Sequence, residues 1–472
     1  MAKTTAVDAN GLRKFGMLDK VSYAAGDFGC NMSFALAGTY FTMFWTQYMG
    51  IDSLVFAGLL VVLKIWDAIN DPLIGSLMVS GTKQYKEGKF KHGISIGAIG
   101  LVVAAALCFL PLPGAPYMVK VILCLLGYMA WDACYTIVNV PYGYMLSVIT
   151  ADAGDRAQLG AWRTLGSLAA SLPMGIILPI VLYDENQNIM GVRLFIAALL
   201  LGVVAWFAFH FMVKTTVQRV QVPPPSPDAP KFNFLVSIKN FVHNRPALGA
   251  TLQPVAMFLG TYGAGTAATV MFQSYFKNMA ISGLMMIISM LPMVLFIPFV
   301  KKITVKWGKQ EGSCFGLLFS IAACALMVVV PIPPNGTGVA IYMGLMLLNG
   351  LGMGVSICVG NAMMADAIDY NEWKNGKREE GTTYALHSFF RKLAQGVGPS
   401  IGLVLMVALG YNEQLGAAQP FEVALNMRYL VAVLYLVSAV LMFVGLKFVY
   451  NLDKKTLEEM ETALGRSTKA DE

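Results

Sequence analysis

Apolar runs of about twenty residues recur along the whole chain, the length a helix needs to cross the roughly 30 Å hydrocarbon core of a bilayer. Lipid offers no hydrogen-bond partners, so a spanning segment must be a helix or part of a closed barrel. These runs are too long for barrel strands. The expected fold class is therefore an all-α polytopic membrane protein. Composition agrees: 57% of the 472 residues are hydrophobic and 13% are charged, whereas soluble domains carry about 25% charged residues. The runs place about twelve spans, near 21–49, 53–79, 93–111, 117–148, 159–183, 193–213, 246–275, 279–300, 312–331, 338–370, 383–411 and 427–450.

Lysine and arginine sort onto one side of these spans. Loops holding Lys83, Lys86, Lys89 and Lys91, then Lys214 and Arg219, then Lys301, Lys302, Lys306 and Lys309, then Lys374, Lys377 and Arg378 alternate with loops nearly free of them. The positive-inside rule then predicts a multi-pass protein of the cell inner (plasma) membrane with both termini cytoplasmic. The formal net charge of +7 sits mostly in loops, so it reads as topology, and no nucleic-acid partner is expected. Residues 1–20 have no apolar core with a small-residue cleavage site, so the first span is expected to direct insertion itself. The seven cysteines lie in or at apolar segments without paired or metal-like spacing and read as small buried hydrophobes.

A stiff proline run, Val222 to Pro230, divides the chain. The expected organisation is a cytoplasmic N-terminus over 1–20, a six-helix half over 21–213, a cytoplasmic linker over 214–245, a second half over 246–450 and a cytoplasmic tail over 451–472. A basic Gly-Lys pair follows the second span of each half, Gly88-Lys89 and Gly308-Lys309. Two six-helix halves with that repeat are the layout of the major facilitator fold.

Charges inside the spans carry the functional argument. Each costs about 2.5–3.5 kcal/mol at a helix centre, so such residues seldom persist without a task. In span two, Lys64, Asp67 and Asp71 share one helical face with Asn70 beside them, just before Pro72. Two carboxylates and an amide oxygen form a hard-oxygen pocket for a small cation or a proton. Span one stacks Asp27 and Asn31, and span four puts Asp132, Thr136 and Asn139 on one face. Span five begins near Arg163, and span eleven carries His387, Arg391 and Lys392. Four aspartates (27, 67, 71, 132) balance four cations (Lys64, Arg163, Arg391, Lys392), as buried charges tend to do. A structural alternative stands beside each assignment. The set could lock helices together, Lys64 could be a plain counter-ion for Asp67, and His387 could cap a polar pocket.

With these residues the chain resembles the glycoside–pentoside–hexuronide:cation symporters, the melibiose-permease-like branch of the major facilitator superfamily. The resemblance runs over all twelve spans. It is carried by Tyr23 to Gly29, Trp66 to Pro72, Gly88 to Lys91, Tyr135 to Pro141, Ala365 to Tyr370 and Arg391-Lys392. It implies a cation site of Asp67, Asn70, Asp71 and Thr136, which would ligate the metal if the ion is Na⁺. It also implies a lysine, Lys392, that links cation and sugar sites, and a substrate arginine, Arg163. Lys64 and Asp132 are expected as coupling or ion-pair residues. Asp27, Asn31, Asn139, Arg163, His387, Arg391 and Lys392 are expected to bind substrate. The chain departs from the melibiose permease where Asn31 and Asn139 replace aspartates, where Gly143 replaces a tryptophan, and where Arg391 adds a positive charge. Those changes argue against a galactoside and suit a carboxylated sugar. A neutral xyloside or other pentoside stays open, because asparagine also binds hydroxyls.

The expected function is symport of a glycoside, pentoside or hexuronide with Na⁺ or H⁺ by alternating access. No cofactor and no enzymatic activity are expected. The partners would be the sugar and the lipid bilayer, and the chain is expected to be a monomer. A non-transporting sugar sensor and a lysolipid-type carrier of the same fold are the rivals. An intramembrane enzyme is a third, but His387 has no catalytic partner at suitable spacing in its own helix.

Overall fold

The computed structural model describes residues 12–80, 88–150, 152–220, 241–296, 299–376 and 380–464. Some side chains within the helices also lie outside the described residues, Asp71 and Pro72 among them. So do Lys83, Lys86, Lys377 and Arg378 of the basic loops and the proline run of the linker. The chain divides into two compact units, Met1–Ala229 and Pro230–Glu472. No strand is found among the described residues; an isolated bridge joins Tyr183 and Ile189.

The first unit holds six long helices: α1 (Met17–Met43), α2 (Ser53–Ser80), α3 (Lys89–Cys108), α4 (Tyr117–Ile149), α5 (Ala153–Leu172) and α6 (Gly191–Thr215). The second holds α7 (Arg245–Val270), α8 (Met279–Phe296), the short α9 (Val300–Trp307), α10 (Lys309–Val329), α11 (Gly336–Asn375), α12 (Glu380–Ala408), α13 (Phe421–Val444) and the short α14 (Lys454–Ala463). The long helices number twelve among the described residues, six in each unit. Among the described residues, eight of them hold a stretch long and apolar enough to cross a membrane. Much of the charged set singled out in the sequence lies on α1, α2 and α12.

Local chemistry sets the helix ends. Asp152, Asn244 and Asn335 each cap a helix by accepting a backbone N–H, from Asp155 at 2.8 Å, Ala247 at 3.1 Å and Gly338 at 3.0 Å. Gly376 closes α11 in the left-handed region, at φ 66°, where a Cβ would be strained. With 40 residues, α11 runs about 60 Å, twice the hydrocarbon thickness. Its last turns, with Asp366 and Asp369, therefore extend past the apolar stretch Gly336–Gly360.

In the first unit α1 packs on α5 and α6, α3 on α4 and α6, and α2 on α4. Phe41 sits at its aromatic centre, 5.6 Å from Phe56, 5.2 Å from Tyr128 and 6.3 Å from Trp45 and Phe109. In the second unit α7 packs on α12 and α13, α10 on α11 and α13, and α8 on α11. Its core includes Leu317, Met363, Ala367, Leu386 and Met442. Inside a bilayer such contacts stabilise by close packing, because lipid is as apolar as leucine. All seven cysteines are free thiols.

Candidate functional site

Three groups of polar side chains lie in the first unit. The first lies on α2 and α4. Lys64 donates from Nζ to Asp67 Oδ2 at 2.6 Å and to the Tyr128 hydroxyl at 2.6 Å. That hydroxyl in turn donates to Asp67 Oδ2 at 3.3 Å. The Lys64 ammonium also stands 5.2 Å from the Tyr128 ring centre. Asp67 Oδ1 is buried and has no hydrogen-bond partner. A carboxylate satisfied at one oxygen only is costly to bury, which marks it as a place for a ligand.

One turn further along α2, buried Asn70 crosses to α4. Its Nδ2 donates to Asp132 Oδ2 at 2.8 Å and more loosely to Thr136 Oγ1 at 3.3 Å. The amide nitrogen is thus committed to α4, and the carbonyl oxygen is the end it can offer a cation. The Asp67 carboxylate bonds Lys64 and Tyr128; no hydrogen bond joins it to Asn70 or Thr136 among the described residues. The Asp71 side chain lies outside the described residues. Among the described residues no cluster of three His, Cys, Asp or Glu side chains could hold a metal ion.

The third group joins α1, α4 and α5. Asp27 is nearly enclosed, with its carboxylate paired at both oxygens. Oδ1 accepts from Arg163 Nε at 2.8 Å, and Oδ2 accepts from Asn31 Nδ2 at 2.8 Å. Asn31 Nδ2 also donates to the Asp27 carbonyl at 2.9 Å. The stacking of Asp27 and Asn31 expected from their spacing is therefore realised as a bond. It leaves Asn31 with its carbonyl oxygen, an acceptor, to present to a ligand. The Arg163 guanidinium lies 5.2 Å from the Tyr142 ring centre, and its side chain stays 43% exposed. Tyr142 stacks on Tyr23 at 4.7 Å and donates to the Tyr23 carbonyl at 3.0 Å. Asn139 is half-buried on α4.

The second unit contributes α12. Buried His387 shares a hydrogen bond of 2.9 Å between Nδ1 and the Thr251 hydroxyl on α7. One turn on, Arg391 is half-buried, and its Nε is a buried donor without a partner. Lys392 is exposed. Asp366, on the overhanging end of α11, is instead paired with Lys309 at 2.7 and 2.8 Å, and burial pushes its carboxyl up.

Sequence reasoning missed Tyr128, Tyr142 and Thr251. Tyr128 had a signal: it precedes Asp132 by four residues and so extends the Asp132–Thr136 face by one turn. Tyr142 and Thr251 had none, because their roles arise from which helices pack together.

These features define a polytopic all-α membrane protein whose charged set is concentrated on a few helices. Residues 22–454 match the family described as MFS/sugar transport protein, and the chain belongs to it. It is 25% identical over 443 residues to the glucuronide carrier protein homolog of Escherichia coli (strain K12), covering 93% of each chain. It is 27% identical over 421 residues to the isoprimeverose transporter of Lactiplantibacillus pentosus, covering 87% of this chain and 84% of that one. A solved structure of a bacterial homolog of the human lysosomal transporter Spinster, inward-facing and unoccupied, shares the fold with a TM-score of 0.62 at 14% identity. It covers 92% of this chain and 98% of that one. The protein is a multi-pass membrane transporter of the sugar type, not an enzyme.

Proposed function

We propose that the protein imports a glycoside, pentoside or hexuronide together with Na⁺ or H⁺, by alternating access in the cell inner membrane, with both termini cytoplasmic. The observation that carries the coupling is the half-satisfied Asp67 carboxylate, one turn from an amide held across to Thr136 and Asp132. Such a site is stabilised by a cation and destabilised without one, and linkage then makes sugar and cation raise each other's affinity by the same factor. Asp67, Asn70, Asp71 and Thr136 are assigned to the cation, with Lys392 linking it to the sugar. Arg163, Asn31, Asn139, His387 and Arg391 are assigned to the sugar, with Asp27 holding Arg163 and Asn31. The protein works as a monomer without a cofactor.

An anionic sugar is favoured by the buried, unpartnered Nε of Arg391, which lacks only an acceptor. The name of the glucuronide carrier supports the same class. The name of the isoprimeverose transporter keeps a neutral pentoside as the second reading. Uptake of a panel of radiolabelled glucuronides and xylosides into vesicles, with and without a Na⁺ gradient and a pH gradient, tests the function. Accumulation that ignores both gradients would remove the symport reading. Arg391→Ala is expected to weaken binding of a glucuronide by about 1.5–3 kcal/mol, the worth of a charge-assisted hydrogen bond, and to spare its neutral methyl ester. Equal losses for both ligands would move the assignment to the neutral pentoside.

A further inference from the structure

Lys64 occupies the carboxylate that the coupling ion needs. Its ammonium lies 2.6 Å from Asp67 Oδ2, closer than a loose surface pair would hold. The two residues are three apart on α2, so the contact is internal to one helix and does not depend on how any other helix moves. Two unit positive charges cannot both sit well on one carboxylate, so a bound alkali-metal ion and the Lys64 ammonium compete for Asp67.

Tyr128 gives the ammonium somewhere to go. Its hydroxyl accepts from Lys64 at 2.6 Å while donating to Asp67 Oδ2 at 3.3 Å. If the ammonium leaves Asp67, it keeps one of its two described oxygen partners. The other Asp67 oxygen, Oδ1, is buried and unpartnered, and it offers the entering ion a first ligand before Lys64 moves. A resident counter-ion with a parking place and a vacant neighbouring oxygen form an exchange site.

We propose that Lys64 is a tethered ammonium that holds Asp67 in the ion-free protein, that Na⁺ displaces it onto Tyr128, and that this displacement sets the affinity and the release of the coupling ion. The proposal rests on the cation-coupled reading and names Na⁺ as the ion.

The test is equilibrium binding of radiolabelled Na⁺ to the purified full-length protein at constant pH and ionic strength. Lys64→Gln removes the competitor and should tighten Na⁺ binding about tenfold or more. Lys64→Arg keeps the charge and should bind close to wild type. Tyr128→Phe removes the parking hydroxyl and should weaken Na⁺ binding several-fold. In vesicles Lys64→Gln should retain sugar exchange and lose net accumulation, because the tighter ion leaves slowly. Equal or weaker Na⁺ binding by Lys64→Gln would overturn the proposal, as would the absence of Na⁺ binding by both wild type and Lys64→Gln. Should Lys64→Gln fail to fold, Tyr128→Phe decides: an unchanged Na⁺ affinity there overturns the proposal. Failure of the wider reading shows in a different assay, as sugar counterflow indifferent to both Na⁺ and pH.

Discussion

The two halves are built on one packing plan and furnished with different chemistry. The contacts of α1 with α5 and α6 recur as those of α7 with α12 and α13, and the contacts of α3 with α4 and α6 recur as those of α10 with α11 and α13. Gly88 and Gly308 start α3 and α10 with nearly the same strained backbone, φ 84° and 96°. The first helix of each half ends in a π turn, Phe44–Tyr48 and Met271–Tyr275. An aromatic residue there reaches the chain near the end of that half's α3 or α10: Trp45 donates to the Cys108 carbonyl at 3.2 Å and Tyr275 to the Ile332 carbonyl at 2.5 Å. The charges do not repeat. The first half buries or half-buries Asp27, Asp67 and Asp132 with Lys64 and Arg163, while α12 brings His387, Arg391 and Lys392. Architecture thus resides in small residues, caps and turns, and function in side chains that each half changed separately.

The largest expected effect breaks the chemistry and spares the plan. Asp67→Asn removes the half-paired carboxylate and keeps the side-chain volume. Sugar accumulation in vesicles should fall to about the external concentration, while counterflow of preloaded sugar persists. Asp71→Asn should behave alike. A variant that still concentrates sugar as wild type does would remove that residue from the cation site, and the contrast between the halves with it.

A smaller effect should appear equally in both halves, because it strikes the shared plan. A Cβ on Gly166 of α5 would collide with the Ala24 carbonyl of α1, and one on Gly402 of α12 would collide with the Gly263 carbonyl of α7. Both contacts join the corresponding pair of helices in their half, at different levels along it. Backbone cannot yield as a side-chain end can, so Gly166→Val and Gly402→Val should each destabilise by at least the roughly 1–3 kcal/mol typical of overpacking. Thermal unfolding of the purified variants, monitored by circular dichroism, reads this. A loss confined to one variant would show that the repeat is a likeness of topology rather than of packing.

Much of this was legible in the sequence. The spans follow from hydrophobic length; the Gly-Lys repeat reads from sequence as a loop feature, and the structure shows it starting α3 and α10. The face shared by Lys64 and Asp67 came from helical period alone, and the structure joins them at 2.6 Å. Less legible was how a side chain spends its donors. Asn31 was placed correctly beside Asp27, but that its amide nitrogen is consumed there depends on rotamers, which spacing does not carry. Thr251 and His387 meet from helices 136 residues apart, a distance at which sequence gives no register.

The smallest effect concerns how each half secures the chain beyond its last long helix. In the first half Arg219, beyond α6, joins Arg13 on the carboxylate of Asp19, which is fully buried. In the second half Asp453, beyond α13, is exposed and only caps α14, accepting from the Thr456 N–H at 2.8 Å. The Thr456 side chain, and after it the Thr456 N–H, hold the Asp453 carboxyl below its usual range, with a lesser pull from Lys455 and Lys447. A depressed carboxylate stabilises the folded helix above its unfolded pKa, about 3.9, and the stabilisation is lost as pH falls through the lower folded value. Near neutral pH the cap is fully present. Asp453→Asn should therefore keep α14 as protected as in wild type at neutral pH, because asparagine caps equally well, and should remove the loss of protection in acid. Asp453→Ala should lower protection by about 0.5–2 kcal/mol at neutral pH, and the gap to wild type should narrow in acid. Hydrogen exchange of the α14 amides from below about pH 3 up to neutral pH reads all three proteins. If Asp453→Ala matches wild type, α14 is held by its contact with the body of the half alone, through Glu311 accepting from the Lys454 N–H at 3.0 Å, and the cap contributes nothing.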